Sequence, residues 1–258
     1  MKFLSRWFAL AFAFLLALSA TAADAKIYEL RIYKTNPGKL EDLLARFRNH
    51  TCKIFERHGM ENIGYWVPLD DDKGAKDTLI YVIAHKDRDA AKANWAAFRN
   101  DPEWKAAQKK SEENGKILAQ PPEAIFMDLA DFSPAVKLGA GAGERVFELR
   151  DYTTPEGKVA ALDARFRDHT CALFEKHGIK NLAYWHPVDA DKGAGARLIY
   201  IVAHPSKDGG LANFKKFGAD PDWQAARKAS EEKAGGSLTV KGGVKSTYLR
   251  AVDFSPIR

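Results

Sequence analysis

Tyr28-Glu29-Leu30-Arg31-Ile32-Tyr33 opens a stretch that this chain contains twice. It returns as Phe147-Glu148-Leu149-Arg150-Asp151-Tyr152, and Arg46-Phe47-Arg48-Asn49-His50-Thr51-Cys52 returns as Arg165-Phe166-Arg167-Asp168-His169-Thr170-Cys171. The spacing is 119 both times (147 − 28 and 165 − 46), and it holds without a gap from Tyr28 to Glu113, with 46 identities in 86 positions. Shared composition cannot produce that match, so a domain has been duplicated. Within the opening stretch Tyr28, Leu30 and Ile32 point one way and Glu29, Arg31 and Tyr33 the other, the pattern of a strand with one apolar face.

The rest of a repeat reads outward from that strand. Asn36-Pro37-Gly38 is a turn. A helix is expected over 39–58, because Leu40, Leu43, Leu44, Phe47, Thr51, Ile54, Phe55 and His58 fall on one stripe and Gly59 ends it. Strands are expected over 62–67 and 78–85, joined by the acidic Asp70-Asp71-Asp72-Lys73-Gly74 loop. A second helix covers 88–98, and Asp101-Pro102 begins a short one, with a capping carboxylate followed by proline. A last strand covers 124–130. The order βαββαβ is the ferredoxin-like split unit, whose sheet carries helices on one face only. Its bare face must be buried, and the second copy can do that. The expected fold is therefore α+β, two ferredoxin-like βαββαβ repeats forming a pseudo-dimeric α/β barrel.

The ends and the composition bound the rest. Lys2 and Arg6 precede an apolar run from Phe8 to Leu18, too short to span a bilayer, and Ala20-Thr21-Ala22 follows with small residues at the −3 and −1 positions. This reads as a signal peptide over 1–22, with cleavage after Ala22 or Ala25, so a periplasmic or secreted protein with no later transmembrane segment is expected. The division is then repeat 1 over 26–134, an Ala/Gly-rich linker over 135–144 and repeat 2 over 145–258. Cleavage lowers the formal charge from +6 to +4 (6 − 2), and basic and acidic residues are interspersed, so no nucleic-acid surface is indicated. Cys52 and Cys171 occupy the same position in the two copies. Equivalent helix positions come within bridging distance only on the pseudo-symmetry axis, so two free thiols are expected.

Several of these motifs, in this order, resemble the NIPSNAP family. They are the Tyr-Glu-Leu-Arg-Ile-Tyr opening with a following Pro-Gly-Lys, Phe55-Glu56-Arg57-His58-Gly59, Gly64-Tyr65-Trp66 and Asp101-Pro102-Glu103-Trp104. The second copy carries Phe174-Glu175-Lys176-His177-Gly178, Tyr184-Trp185 and Asp220-Pro221-Asp222-Trp223. The resemblance covers nearly all of the mature chain, as two tandem domains. It implies the dimeric α/β-barrel fold, shared with small monooxygenases, haem-handling proteins and stress-response barrels, but not one activity. Asp151 in place of Ile32, and Pro155-Glu156-Gly157 in place of Asn36-Pro37-Gly38, depart from the first copy and imply a looser first strand or an altered rim in the second.

If the apolar side of the first strand faces the helices, Glu29, Arg31 and Tyr33 face between the sheets, together with Glu148, Arg150 and Tyr152. Charged groups are rarely buried unpaired. Two readings follow: arginine clamps on a small acidic or aromatic ligand, or internal Glu29–Arg31 and Glu148–Arg150 bridges that only satisfy each other. Tyr81 and Tyr200 join this candidate cleft if their strand faces the same way, with His85 and His204 at its mouth or simply in solvent. His58 and His177 end the first helix of each copy, where they suit the dipole or the core. Their surroundings lack metal-ligand spacing, so no metal is expected. His50 and His169, at the edge of the same stripe, read as helix-packing or hydrogen-bonding residues. Asp70–Gly74 and Asp189–Gly193 resemble a calcium loop only at its start and read as solvated turns. Trp66, Trp104, Trp185 and Trp223 read as core anchors.

No nucleophile triad, phosphate loop or dinucleotide motif appears. The favoured expectation is a non-catalytic exported module binding a small molecule or a protein, without a cofactor, as a monomer with an internal pseudo-dimer or as a homodimer. The alternatives are a cofactor-independent monooxygenase-like enzyme acting on a small aromatic substrate in the cleft, and a haem-binding protein.

Overall fold

The computed structural model describes residues 26–139 and 145–258; the expected signal peptide and positions 140–144 of the linker lie outside the described residues. Repeat 1 supplies β1 (Ile27–Lys34), α1 (Leu40–Arg46), α2 (Cys52–Arg57), β2 (Glu61–Pro68), β3 (Thr78–His85), α3 (Arg88–Asn100), α4 (Pro102–Ser111) and β4 (Glu123–Leu129). Repeat 2 supplies β5 (Val146–Thr153), α5 (Val159–Arg165), α6 (Cys171–Lys176), β6 (Lys180–Pro187), β7 (Arg197–His204), α7 (Lys207–Ala219), α8 (Pro221–Lys233) and β8 (Val244–Ala251). The eight strands close into one antiparallel barrel in the order β1-β3-β2-β8-β5-β7-β6-β4, with β4 returning to β1. The fold is α+β.

The helix expected over 39–58 is interrupted. A π turn, Phe47–Thr51, separates α1 from α2, and the Thr51 hydroxyl donates to the Arg46 carbonyl five residues back at 3.2 Å. The same turn, Phe166–Thr170, recurs in repeat 2 with a 3.1 Å bond from Thr170 to Arg165. Each turn swings a phenylalanine, Phe47 or Phe166, onto the tyrosines of the sheet.

Two short seams join the repeats, β2 to β8 around Val67↔Arg250 and β4 to β6 around Asp128↔His186. Each repeat then sends its tail onto the other. After β4, the Ala130 N–H donates to the Tyr184 carbonyl at 2.8 Å and Phe132 packs on Tyr184. After β8, the Val252 N–H donates to the Tyr65 carbonyl at 3.1 Å and Phe254 packs on Tyr65. Arg167–Asp131 and Arg48–Asp253 bridges repeat the exchange at the surface.

The interior of the barrel is apolar and shared. Tyr28, Leu30, Trp66, Ile80 and Val82 meet Phe147, Trp185, Ile199, Ile201 and Leu249 there. The helix layers bury the opposite faces: Tyr33, Tyr65, Tyr81 and Ile83 against α1 to α4, and Tyr184, Tyr200 and Val202 against α5 to α8. This reverses the expected orientation. Tyr28, Leu30 and Ile32 face the inside of the barrel, and Glu29, Arg31 and Tyr33 lie under helices, as do Glu148, Arg150, Tyr152, Tyr81 and Tyr200. The reason is hydrogen bonding: the apolar interior offers no partners for these charges, whereas the helix layer does.

Candidate functional site

The eight candidate residues form two clusters, one per repeat, between sheet and helices. In repeat 1 the carboxylate of Glu29, 1% exposed, lies at the centre. Arg31 Nη1 donates to Oε1 at 2.5 Å, Trp95 Nε1 donates to Oε2 at 2.7 Å, and His85 Nε2 lies 3.1 Å from Oε2. With Asn94 donating to His85 Nδ1 at 3.3 Å, the network assigns the proton to Nε2. Arg31 lies 4.4 Å over the Trp95 ring, and the Tyr81 and Tyr33 hydroxyls bond at 3.0 Å. Burial works to raise the Glu29 carboxyl, but the His85 bond, the Arg31 charge and the Trp95 bond outweigh it, so its pKa falls below the usual range.

Repeat 2 keeps Glu148, Arg150 and His204 and changes their neighbours. Glu148 pairs with Arg150 and lies 3.0 Å from His204 Nε2. Phe214 stands where Trp95 stood, and Arg150 lies 4.3 Å over its ring. Arg150 also donates to Tyr200 at 2.9 Å and to Tyr152 at 3.0 Å. Burial again works against Glu148, and the His204 bond and the Arg150 charge again prevail, lowering its pKa. In both repeats the internal bridge is the geometry found. His85 and His204, for which solvent was one expectation, are buried because each bonds its glutamate.

Other motifs also find partners inside the protein. His58 and His177 lie 2.7 and 2.6 Å from Asp101 and Asp220, the carboxylates that cap α4 and α8. The acidic loops are not merely solvated, because Asp70 pairs with Lys207 and Asp189 with Arg88, each across the repeats. Both cysteines are free. No group of metal-ligating residues occurs among the described residues.

Of the cavities among the described residues, two adjoin the barrel interior or the charged clusters. The larger, about 650 Å³, lies where the segment after β4 crosses one end of the barrel. Ile63, Trp66, Leu182, Trp185 and Ile201 form its wall toward the barrel, with Val136 and Ile257 from the crossing segment and the C-terminal tail. The Nε1 atoms of Trp66 and Trp185 are buried with no partner among the described residues. The smaller, about 220 Å³, lies between sheet and helices of repeat 2, lined by Tyr152, Arg165, Phe174, Trp223 and Glu231. There Nε and Nη1 of Arg165 are buried without a hydrogen-bond partner among the described residues, although Glu231 is 3.7 Å away. Sequence reasoning missed both cavities. The aromatic residues were visible, but nothing in the chain marks which of their faces stays uncovered.

Comparisons with known proteins agree with this architecture. A structure from Fusobacterium nucleatum, assigned as a monooxygenase, superimposes with a TM-score of 0.57 at 10% identity, covering 89% of this chain and 93% of its own. One from Lactobacillus acidophilus, similarly assigned, gives 0.55 at 12% identity, with 88% and 94% covered. An anthrone oxidase-like protein gives 0.56 at 18% identity, with 91% and 94% covered. At these identities the likeness concerns the fold. No curated protein matches the chain. The sequence model of the NIPSNAP family matches residues 28–134 and again 147–256, nearly the whole described chain. This protein is a member of the NIPSNAP family, carrying two tandem copies of its domain.

Proposed function

We propose that this is an exported, non-catalytic binding protein that holds a small molecule in the cavity at the end of its barrel, without haem or another cofactor. The two fused repeats then act as an internal pseudo-dimer, and a single chain is the working unit. The observation that carries this reading is the contrast between the clusters and the cavity. The glutamate, arginine and histidine groups are consumed by one another under the helices, while a volume of about 650 Å³, the size of a small-molecule site, adjoins the shared apolar interior. Export rests on the leader-like sequence of residues 1–22. Among the described residues no helix is long and apolar enough to cross a membrane.

A second reading is a cofactor-independent monooxygenase-like enzyme. It is favoured by the repeat 2 cleft, where the unpartnered Arg165 nitrogens and Tyr152 could polarise a small aromatic substrate. Native mass spectrometry with absorbance, on mature protein purified gently from its export compartment, separates the readings. The binding reading expects a bound mass without a Soret band, lost in Leu182→Trp, which fills the barrel-end cavity, and kept in Arg165→Met. The reverse pattern would transfer the site to the cleft, a Soret band would establish haem, and a bare polypeptide mass would count against a ligand site altogether.

A further inference from the structure

Arg46 and Arg165 end α1 and α5 at equivalent positions, and the two repeats answer their buried charges unequally. Arg46 Nη1 donates to Ser111 at 3.2 Å and to Glu112 at 3.4 Å, leaving Nε without a partner among the described residues. In repeat 2 Arg227 replaces Gln108 and takes the equivalent carboxylate, Glu231, at 3.2 Å. Arg165, its side chain 5% exposed, is left 3.7 Å from the same oxygen, with Nε and Nη1 both unbonded among the described residues. Two guanidinium groups thus share one carboxylate where repeat 1 matches one with one. A buried charge without a full counter-charge is costly.

The contacts of Arg165 place its head at the smaller cavity. Its Cζ lies 5.1 Å from the centre of the Trp223 ring, and Trp223 and Glu231 both line that space. Nη2 is not one of the sealed, unbonded nitrogens. Tyr152 and Thr239, which carry hydroxyls, line it too, and Phe174 and Phe217 add rings. Thr239 gives a reason for the opening. The Ala119 N–H donates to the Lys34 carbonyl and the Val240 N–H to the equivalent Thr153 carbonyl, both at 3.0 Å, so Thr239 stands where repeat 1 has Leu118. Leu118 packs on the core of repeat 1, and threonine is too short to do the same.

We infer that this cleft of repeat 2 binds a small aromatic carboxylate, whose anion neutralises Arg165 while its ring lies among Phe174, Phe217 and Trp223. The site is separate from the barrel-end cavity and stands whichever reading of the function holds. An anion is required, because a neutral ligand would leave Arg165 and Arg227 sharing Glu231. A carboxylate can meet Nη2 of the guanidinium in a charge-assisted bond. The body should be flat and apolar to pack on the rings. The volume, about 220 Å³, falls below that of a drug-sized pocket and limits the body to about one ring. Repeat 1 offers no equivalent, since Glu112 already answers Arg46 and Leu118 stands at the opening.

The test titrates benzoate, its neutral amide benzamide, and acetate into mature, full-length protein by calorimetry. Benzoate should bind about tenfold tighter than benzamide, the equivalent of ~1.4 kcal/mol, and far tighter than acetate. Arg165→Met should bring benzoate down to the affinity of benzamide, and Arg46→Met should leave it unchanged. Thr239→Leu, which restores the residue of repeat 1, should abolish binding of both aromatic compounds. It decides the matter even if Arg165→Met folds poorly. Leu182→Trp, which fills the barrel-end cavity, should leave benzoate binding intact. Equal affinities for benzoate and benzamide would overturn the requirement for an anion, and acetate as tight as benzoate would overturn the aromatic body. Benzoate binding that survives Thr239→Leu, or disappears in Leu182→Trp, would place the ligand elsewhere and overturn the site. Failure of benzoate to bind at all would overturn the inference alone, because the barrel-end reading is judged by the native bound mass.

Discussion

The two repeats bury the same glutamate, arginine and histidine and satisfy them by different means. In repeat 1 the carboxylate of Glu29 does most of the satisfying, receiving Arg31, His85 and the indole of Trp95. In repeat 2 the indole is gone, and Arg150 spreads its donors over Glu148, Tyr200 and Tyr152. Among the described residues Arg31 makes no comparable bond to a phenol, and its Nε has no partner. The constraint common to both is neutralisation of the buried charge, and the individual contact is replaceable. That is the behaviour of structural bridges, and it argues against a dedicated anion clamp.

The comparison breaks first at the glutamates. Removing one partner of a buried pair leaves an uncompensated charge, at a typical cost of ~3–5 kcal/mol. Glu29→Ala and Glu148→Ala should each fall in that range by denaturant unfolding, and Glu29→Ala should cost more because Arg150 keeps two phenol partners that Arg31 lacks. Equal losses would mean the phenols contribute nothing. Acid should expose the same dependence. Both carboxyls are held below their ordinary pKa, so the stability they give is complete above the unfolded value of about 4.3 and is lost as pH falls from there toward the folded value. Melting curves between pH 3 and 7 should show wild type falling steeply at the acid end and Glu148→Ala falling less from its lower start.

The next test exchanges the neighbour. Trp95→Phe converts repeat 1 to the arrangement of repeat 2 and removes a 2.7 Å bond to a carboxylate, worth ~1.5–3 kcal/mol for a charged acceptor. A loss in the lower part of that range is expected, since Trp95 is only half buried. Phe214→Trp should gain much less, because Glu148 already holds Arg150 and His204, and Arg150 is further satisfied by Tyr200 and Tyr152. A gain equal to the loss would show that Glu148 is under-served.

Much of this architecture was legible in the sequence. The duplication, the strand and helix order, the Asp101 and Asp220 caps and the buried stripe of the first helix all follow from local spacing. The facing of β1 did not, because alternation says that Glu29 and Leu30 part company and not which of them meets helices. Choosing required knowing that α3 brings Trp95 and Asn94 to the Glu29 side, a contact 66 residues away in sequence. The π turns were hidden too, since one extra residue per turn leaves the stripe from Leu40 to Phe55 intact. Least legible was the barrel-end cavity, which depends on where the tails of both repeats cross.

A smaller difference lies beneath the histidines. Repeat 1 has Ala91 where repeat 2 has Gly210, and a Cβ at 210 would lie 2.9 Å from His204 Cγ and 3.1 Å from Tyr248. Gly210→Ala adds helix propensity worth ~1 kcal/mol but forces His204 or Tyr248 to shift, at a typical overpacking cost of ~1–3 kcal/mol. A net loss of about 1 kcal/mol is expected from unfolding curves. A net gain would mean that His204, whose Nδ1 bonds nothing among the described residues, is free to move.

The cysteines offer the gentlest probe, because reading them leaves the fold untouched. Burial pushes the Cys52 thiol up to about 12 and Cys171 up to about 11, so at pH 8 very little of either is thiolate. Labelling by a disulfide reagent should be slow at both. Access adds to chemistry here, since Cys171 also lines the barrel-end cavity. A small molecule held in that cavity should therefore protect Cys171 and leave Cys52 at its original rate. If both rates fell together, the ligand would be tightening the whole barrel, and the two repeats would be coupled through the shared interior rather than distinguished by it.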